Sequence, residues 1–533
     1  MKKLYYNGNI VTMAKEGEYV EALLAIDDKI EKTGRLEEIR QAYEDAELVD
    51  LQGKTLMPGF VDGHSHFLLA MQTAGMADLS QCSSFEEIVE TMKTYIEKNH
   101  IPETGAAMGW GYDHNFLPGG KHPDRKILDQ ISESVPVCVV NTSGHMGCMN
   151  SPALKAAGIG ADTPDPQGGK IGRIEGTSQP DGYLEEAAMF QGMGTVAARL
   201  GKAAMPSISA AENLYLSNGV TTVQDGGATR QTVESLLGFD QGGQLHVDVV
   251  VYLMMEEEGR KVLRDYSQLA GKYKDHVKIG GYKLILDGSP QGKSAWMTKP
   301  YENCGDYCGY PRYTDEQVTT FIKEALEDEQ QVLAHCNGDA AGDQFLRCYR
   351  NAYEEVQNPG KKSLRPVMIH CQTARKDQMQ QMKDLNMLPS VFVGHVYYWG
   401  DIHIKNFGQE RGGQISPCKW AEEEGLVLNL HQDMPVTRPN MLHSIWCAVN
   451  RVSRTGKIIG EEQKITVYQA FRAASYGGAY EYNEEDRKGT LESGKKADMI
   501  IMDKDPFAMD PMEIKNIEIL ETIKDGDTVY TKE

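Results

Sequence analysis

Between residues 58 and 485, short apolar runs alternate with longer stretches of helical periodicity. The runs include Val220-Thr221-Thr222-Val223, Val247-Asp248-Val249-Val250-Val251-Tyr252, Val332-Leu333-Ala334-His335 and Val427-Leu428-Asn429-Leu430. Apolar strands of this length, separated by helices, predict a parallel sheet with helices packed on it. The two ends of the chain read differently. Near the N-terminus a strand, a turn at Asn7-Gly8 and a second strand are followed by Ala22-Leu23-Leu24-Ala25-Ile26 and Leu48-Val49-Asp50-Leu51. At the other end, the Gly-punctuated stretch from Lys488 to Lys496 leads into Ala497-Asp498-Met499-Ile500-Ile501-Met502. The simplest organisation is one small β-module built from residues 1–57 and 486–533, with the catalytic domain, 58–485, between its halves.

Four segments run as an apolar strand that carries or ends on a ligand-type residue. They hold Lys283 and Asp287, His335, His370, and Asp433. An eight-unit barrel uses about 30 residues per strand–helix repeat. His335 and His370 are 35 residues apart, about one repeat; His370 and Asp433 are 63 apart, about two; Lys283 and His335 are 52 apart, one generous repeat. With His64 and His66 on strand 1, the others fall on strands 4, 5, 6 and 8. The expected fold is therefore α/β, a TIM (β/α)8 barrel joined to a composite β-sandwich formed from both termini. The 217 residues from His66 to Lys283 exceed three repeats by more than 100. An inserted domain after strand 1, at about 70–205, takes up the excess, and on a βα loop it would sit above the active face as a substrate lid.

His64 and His66 end the segment that starts at Pro58-Gly59-Phe60-Val61. On an extended strand, side chains two apart share a face, so both imidazoles can reach one cation. A barrel gathers the C-terminal ends of its strands at one mouth, which would add the later candidates. Neutral imidazoles suit zinc and related divalent ions, and a carboxylate can both ligate and take a proton. Such a cation activates water for hydrolysis, and Asp433 beside it would move the proton. Trp110, in a Gly-rich turn of the insertion, and His395, near the expected end of strand 7, are candidate substrate contacts. Cys336 and Cys371 follow candidate histidines by one residue and read as buried filler. No CxxC pair, P-loop, dinucleotide fingerprint or G-x-S-x-G elbow is present, which sets aside those chemistries.

The order of these motifs resembles the amidohydrolase superfamily, and within it the amidohydrolase family 3 branch of YtcJ-like proteins and N-substituted formamide deformylases. Matching stretches are Met57 to His66, Asp181 to Glu186, Asn218 to Asp225, Lys283 to Ser289, His335 to Ala341, His431 to Pro435 and Gly494 to Ile501. The resemblance implies His64, His66, His335 and His370 as metal ligands, with Asp433 as ligand and acid/base. It matches Lys283 to a lysine that some members carbamylate to bridge two metals; the alternative is an unmodified lysine paired with Asp287, and one ion rather than two per subunit. It also aligns His145 with an insertion histidine that contacts substrate. The implied activity is hydrolysis of a carbon–nitrogen bond in an amide or N-substituted formamide. Alternatives are a deaminase, an ester or lactone hydrolase on the same site, or a catalytically silent binding protein.

Composition narrows the setting. The chain has 533 residues, 40% of them hydrophobic, room for one large domain and a smaller module. The N-terminal stretch is too polar for a signal peptide, and the ten cysteines show no paired framework, so a reducing cytoplasm is expected. A formal charge of -22 argues against nucleic acid or an anionic membrane as partner. A small-molecule substrate is expected, and outer barrel helices would permit a homo-oligomer.

Overall fold

A computed structural model of the chain describes residues 1–532 except 143, 145, 168, 201–206 and 256–257. The described chain divides into two compact units. One comprises residues 1–67, 212–434 and 438–533, the other residues 68–211 and 435–437.

The first unit is organised around eight parallel strands that neighbour one another in chain order. They are β1 (Phe60–Val61), β2 (Val220–Ala228), β3 (Asp248–Met254), β4 (Val277–Ile285), β5 (Gln331–Cys336), β6 (Val367–His370), β7 (Leu388–Val391) and β8 (Asn429–Leu430). All seven residues of β3 are buried, as expected for a parallel strand covered on both faces. The sheet is curled, and the segments that follow its two edge strands are hydrogen-bonded to each other. Beyond the strands, Asp433 N–H donates to the His64 carbonyl (3.1 Å) and His66 N–H to that of Met434 (3.0 Å). Val61, Val250, Tyr252, Leu333, Val367, Ile369, Leu388 and Tyr482 pack as one buried cluster.

The helices between strands follow from local signals. In Asp315–Glu327 the Thr314 hydroxyl accepts Gln317 N–H, and the Gln317 side chain accepts Thr314 N–H, a reciprocal cap. Asp315 and Glu316 place negative charge in the first turn, against the positive end of the helix dipole. Val318, Ile322, Ala325 and Leu326 are the buried residues, spaced to line one face.

A second sheet in this unit draws strands from both ends of the chain. Strands 2–11, 19–26, 29–34, 47–50 and 55–58 join 499–502, 519–524 and 527–531. The junction is antiparallel, with Met57 opposite Ile500. Tyr5, Ile10, Leu23, Leu56, Met499, Ile501 and Ile523 share one core.

Charged groups are buried where β2, β3 and β4 begin. Lys488 Nζ donates to Asp248 Oδ2 (2.6 Å) and to Thr222 Oγ1 (3.0 Å), and pairs with Glu484 (2.9 Å). Lys278 pairs with Glu484 and donates to the Tyr482 carbonyl (2.9 Å). Lys524 pairs with Asp248 (3.1 Å) and Asp498 (3.2 Å). Each of these ionic groups has an opposite charge at contact distance, the condition under which buried charge is tolerated.

The second unit holds a six-stranded sheet in the order 169–173, 180–186, 146–149, 137–141, 107–112 and 77–78. Two apolar clusters pack in it, one around Leu79, Ile88, Met92 and Val137, the other around Met108, Val140, Met149 and Leu184.

Candidate metal centre

Lys283 lies within β4, His335 within β5, His370 ends β6, and Asp433 follows β8 by three residues. β1 stops at Val61, so His64 and His66 sit past the strand rather than on its pleat. Their rings are nevertheless 5.1 Å apart, because the two backbone bonds at the sheet edge hold this segment against Asp433 and Met434. Asp433 Oδ1 stands 3.3 Å from His66 Nε2 and 3.6 Å from His64 Nε2. His370 packs edge-on to His64 with ring centroids 5.5 Å apart, and to His335 at 4.5 Å. In the ladder Cys336 lies opposite His370 and His335 opposite Ile369, a one-residue stagger that brings the two imidazoles together.

His64, His370 and Asp433 each offer a ligand atom, and the three atoms lie within 4.8 Å of one another. Among the described residues no other group of three His, Cys, Asp or Glu side chains is so arranged. Asp433 Oδ1 is buried and accepts no hydrogen bond. An orphaned carboxylate oxygen is costly unless something positive occupies the space in front of it. Burial, reinforced by Lys283, holds His64 well below its usual range; burial, reinforced by His335, does the same for His370. Both imidazoles are therefore neutral and keep a lone pair for a cation. The donor set fits a divalent metal ion.

The rings are oriented from behind. Gln224 Nε2 donates to the Gly63 carbonyl (2.8 Å), so its Oε1 accepts from His64 Nδ1 (2.5 Å) and Nε2 faces the centre. Asp287 receives His335 Nδ1 at 3.0 Å together with the backbone N–H groups of Trp296, Asn337 and Gly338. His370 Nδ1 meets His431 Nε2 at 3.1 Å. His370, Cys371 and Asp433 all have positive φ, at 69°, 50° and 56°. Left-handed backbone at non-glycine residues is strained and clusters where side chains must be aimed.

A model of the amidohydrolase family matches residues 47–530. The chain belongs to the amidohydrolase family. It is 27% identical to YtcJ of Bacillus subtilis (strain 168) over the full length of both chains. It is 25% identical to the N-substituted formamide deformylase of Arthrobacter pascens, over 99% of this chain and 98% of the relative. Among solved structures, a metal-dependent hydrolase from Pyrococcus furiosus shares the fold with a TM-score of 0.73 at 23% identity, covering 95% of this chain and 100% of that one.

The remaining candidates fall at different places in this amidohydrolase. Lys283 Nζ is 3.0 Å from His64 Nε2, while Asp287, its expected alternative partner, is engaged by His335. His395 opens the helix His395–Gly413, is buried, and meets His403 Nε2 at 3.0 Å through Nδ1. Phe392 packs against both His395 and His370, 4.7 Å from the His395 ring and 6.1 Å from that of His370. Trp110 belongs to the second unit, where its indole N–H donates to the Pro435 carbonyl (3.0 Å). His145 lies outside the described residues.

Gln224 and His431 hold the candidate ligands, yet sequence reasoning gave neither that task. A signal for Gln224 existed: it follows the apolar and Thr-rich run Val220–Val223 within a strand, where a polar side chain needs a reason. Gly226 is a second such residue. A Cβ there would come within 2.5 Å of His64 Cε1 and 2.9 Å of Nδ1. Gly226→Ala is expected to displace the His64 ring and weaken metal binding by about 10-fold or more, the scale seen when support behind a ligand is lost. Metal retained per chain against a graded chelator series checks this; wild-type retention would show the ring free to move aside.

Proposed function

We propose that this amidohydrolase is a metal-dependent hydrolase that cleaves a carbon–nitrogen bond in an amide or N-substituted formamide. The observation that carries this reading is the buried, unpartnered Asp433 Oδ1 facing two imidazoles, with a third, His370, completing a ligand triangle. His64, His66, His335, His370 and Asp433 would hold a divalent cation, zinc by the chemistry of its nitrogen donors. When bound, the cation polarises the carbonyl oxygen and lowers the pKa of water. Asp433 accepts the proton of the attacking water and delivers it to the leaving nitrogen, so that oxygen joins the carbonyl carbon, the C–N bond breaks and an amine departs. The choice of an amide over an ester draws on the deformylase relative, aligned over 98% of its length.

Lys283 governs how many ions fit. An ammonium offers no lone pair, so it serves a one-ion centre; a carbamate would supply two oxygens that could ligate a second ion taken from solution. We also propose the domain plan of a (β/α)8 barrel over 58–485 with an insertion at about 70–205, and a composite β-sandwich from 1–57 and 486–533. Trp110, His145 and His395 are proposed as substrate contacts. Ten free cysteines fit a reducing cytoplasm, and no helix among the described residues is long and apolar enough to cross a membrane. The charge of -22 supports a small-molecule substrate over nucleic acid or membrane, and outer helices are available for a homo-oligomer.

The test is metal analysis of the purified protein, followed by screening N-formyl, N-acyl and cyclic amide libraries on zinc- and manganese-loaded enzyme. One or two ions per chain and turnover of an amide are expected. A protein that purifies metal-free and stays inert after loading would be a silent scaffold, and the proposal would fall. Turnover confined to esters or ring amidines would reassign the bond.

A further inference from the structure

The chain carries ten cysteines, all of them free, and eight are buried. Cys304 and Cys308 are the two that are only half-buried, and both lie in the loop between β4 and the helix Asp315–Glu327. Lys293 Nζ, in the same loop, donates to Cys304 Sγ at 3.1 Å. Among the described residues no carboxylate pairs with this lysine, in a chain that holds 77 acidic residues against 55 lysines and arginines. Its place beside sulfur is set by the loop rather than by charge.

The loop folds into two limbs, and both are fastened. Asn406, on the helix His395–Gly413, donates through Nδ2 to the Pro290 carbonyl (3.1 Å), and its backbone carbonyl accepts Glu302 N–H (2.8 Å). Between the limbs, Met297 N–H donates to the Cys308 carbonyl (2.7 Å) and the Tyr301 hydroxyl to that of Ala295 (2.7 Å). Cys304 packs on the small cluster of Ala295, Met297, Tyr301 and Phe407. Amine and sulfur are therefore presented to each other at a near-attack distance by anchored backbone.

We propose that Lys293 and Cys304 form a peroxide-driven sulfenamide, a reversible covalent lock on the loop that follows β4. Hydrogen peroxide oxidises the thiol by two electrons, so that Cys304–SH and H2O2 give Cys304–SOH and water. The Lys293 ammonium releases one proton to solvent, and the nitrogen lone pair attacks sulfur. The S–O bond breaks, the hydroxyl leaves as water with a second amine proton, and an S–N bond remains. Glutathione reverses the step by attacking sulfur and expelling the amine; a second glutathione then frees the thiol as glutathione disulfide forms.

The eight buried thiols are shielded from the oxidant. Burial also pushes those of Cys138 and Cys418 up to about 12, away from the reactive thiolate. The bond would close residues 293–304 into a ring. That ring includes Trp296, whose N–H donates to Asp287 (3.0 Å), the carboxylate that receives His335. The lock thus stiffens a loop that braces the candidate centre, and it stands whether or not the amide reaction does.

The test treats the full-length protein with hydrogen peroxide, blocks remaining thiols with N-ethylmaleimide without reduction, and maps peptides by mass spectrometry. A Lys293–Cys304 cross-link is expected, lighter than its two peptides by two hydrogens, with tryptic cleavage lost at Lys293 and both changes reversed by glutathione. Lys293→Arg keeps the charge but offers no lone pair, so Cys304 should stop at the sulfenic acid. Dimedone labelling of Cys304 should then rise by about 10-fold or more over wild type. The wild-type map carries the test even if the variant fails to fold. A Cys304–Cys308 disulfide, a Cys304 sulfinic acid with Lys293 unlinked, or an unmodified Cys304 would each overturn the lock. Equal dimedone labelling of wild type and a folded variant would do the same.

Discussion

Asp433→Asn is expected to keep its metal and lose at least about two orders of magnitude in kcat, within the 10²- to 10⁴-fold range of a positioned acid/base. Asparagine preserves the shape of the side chain and one oxygen that can ligate. It cannot accept and return a proton at neutral pH. The backbone is not expected to move, because Asp433 N–H is tied to the His64 carbonyl and that bond does not depend on the side chain. The loss should therefore appear in the chemical step, read by single-turnover kinetics on whichever amide the screen returns, with metal per chain measured alongside. Near-full turnover by the variant would refute the role. Loss of both metal and activity would instead make Asp433 chiefly a ligand.

Lys488→Met should be the most destabilising single change outside the centre, costing about 3–5 kcal/mol, as when one partner of a buried ion pair is removed. Lys488 is 2% exposed and touches both Asp248 and Glu484. Without it, two carboxylates share a buried site with less positive charge between them. The same contacts set an acid dependence. Burial raises the Glu484 carboxyl, but Lys488 and Lys278 outweigh it and hold the group at about 2, below the ordinary 4.5. A carboxyl depressed in the folded state stabilises above its unfolded pKa, and that stability drains as pH falls from about 4.5 towards 2. In wild type the melting temperature should fall across that window. In Lys488→Met it should start lower at pH 7 and fall less steeply. Calorimetric melting from pH 7 to 2.5 compares the two; superimposable curves would show that the buried network contributes nothing to stability.

Most of the eight strands were legible because each holds a short apolar run with clear bounds, and repeat spacing carries information about which strand a residue ends on; Leu388–Val391 was not read from the sequence. Lys283, His335 and His370 lie on the fourth, fifth and sixth strands, as the spacing of about 30 residues per repeat implied. The pairing of His64 with His66 was read from the alternation of an extended strand, yet β1 is only two residues long and ends before them. Their juxtaposition comes instead from long-range backbone bonds to residues near position 433, which no local pattern encodes. The burial of Glu481 was hidden for a related reason. Glu481 sits near Glu484, Glu485 and Asp486, a run that reads as a solvated acidic face, and only the tertiary fold turns Glu481 and Glu484 inward. The left-handed backbone of His370 and Asp433 was equally silent, since neither is a residue type that signals positive φ strongly enough to stand out.

The bonding of the segments that follow the sheet's first and last strands has a consequence for how the protein is made. His64 leaves the ribosome 369 residues ahead of Asp433. At ordinary elongation rates of about 5–20 residues per second, that is an interval of roughly 20 to 70 s. Through that time the emerging polypeptide offers a passing ion only scattered imidazoles. A cation held by both His64 and Asp433 would thus be chosen only after the last strand is translated, by a finished site rather than by a nascent tail.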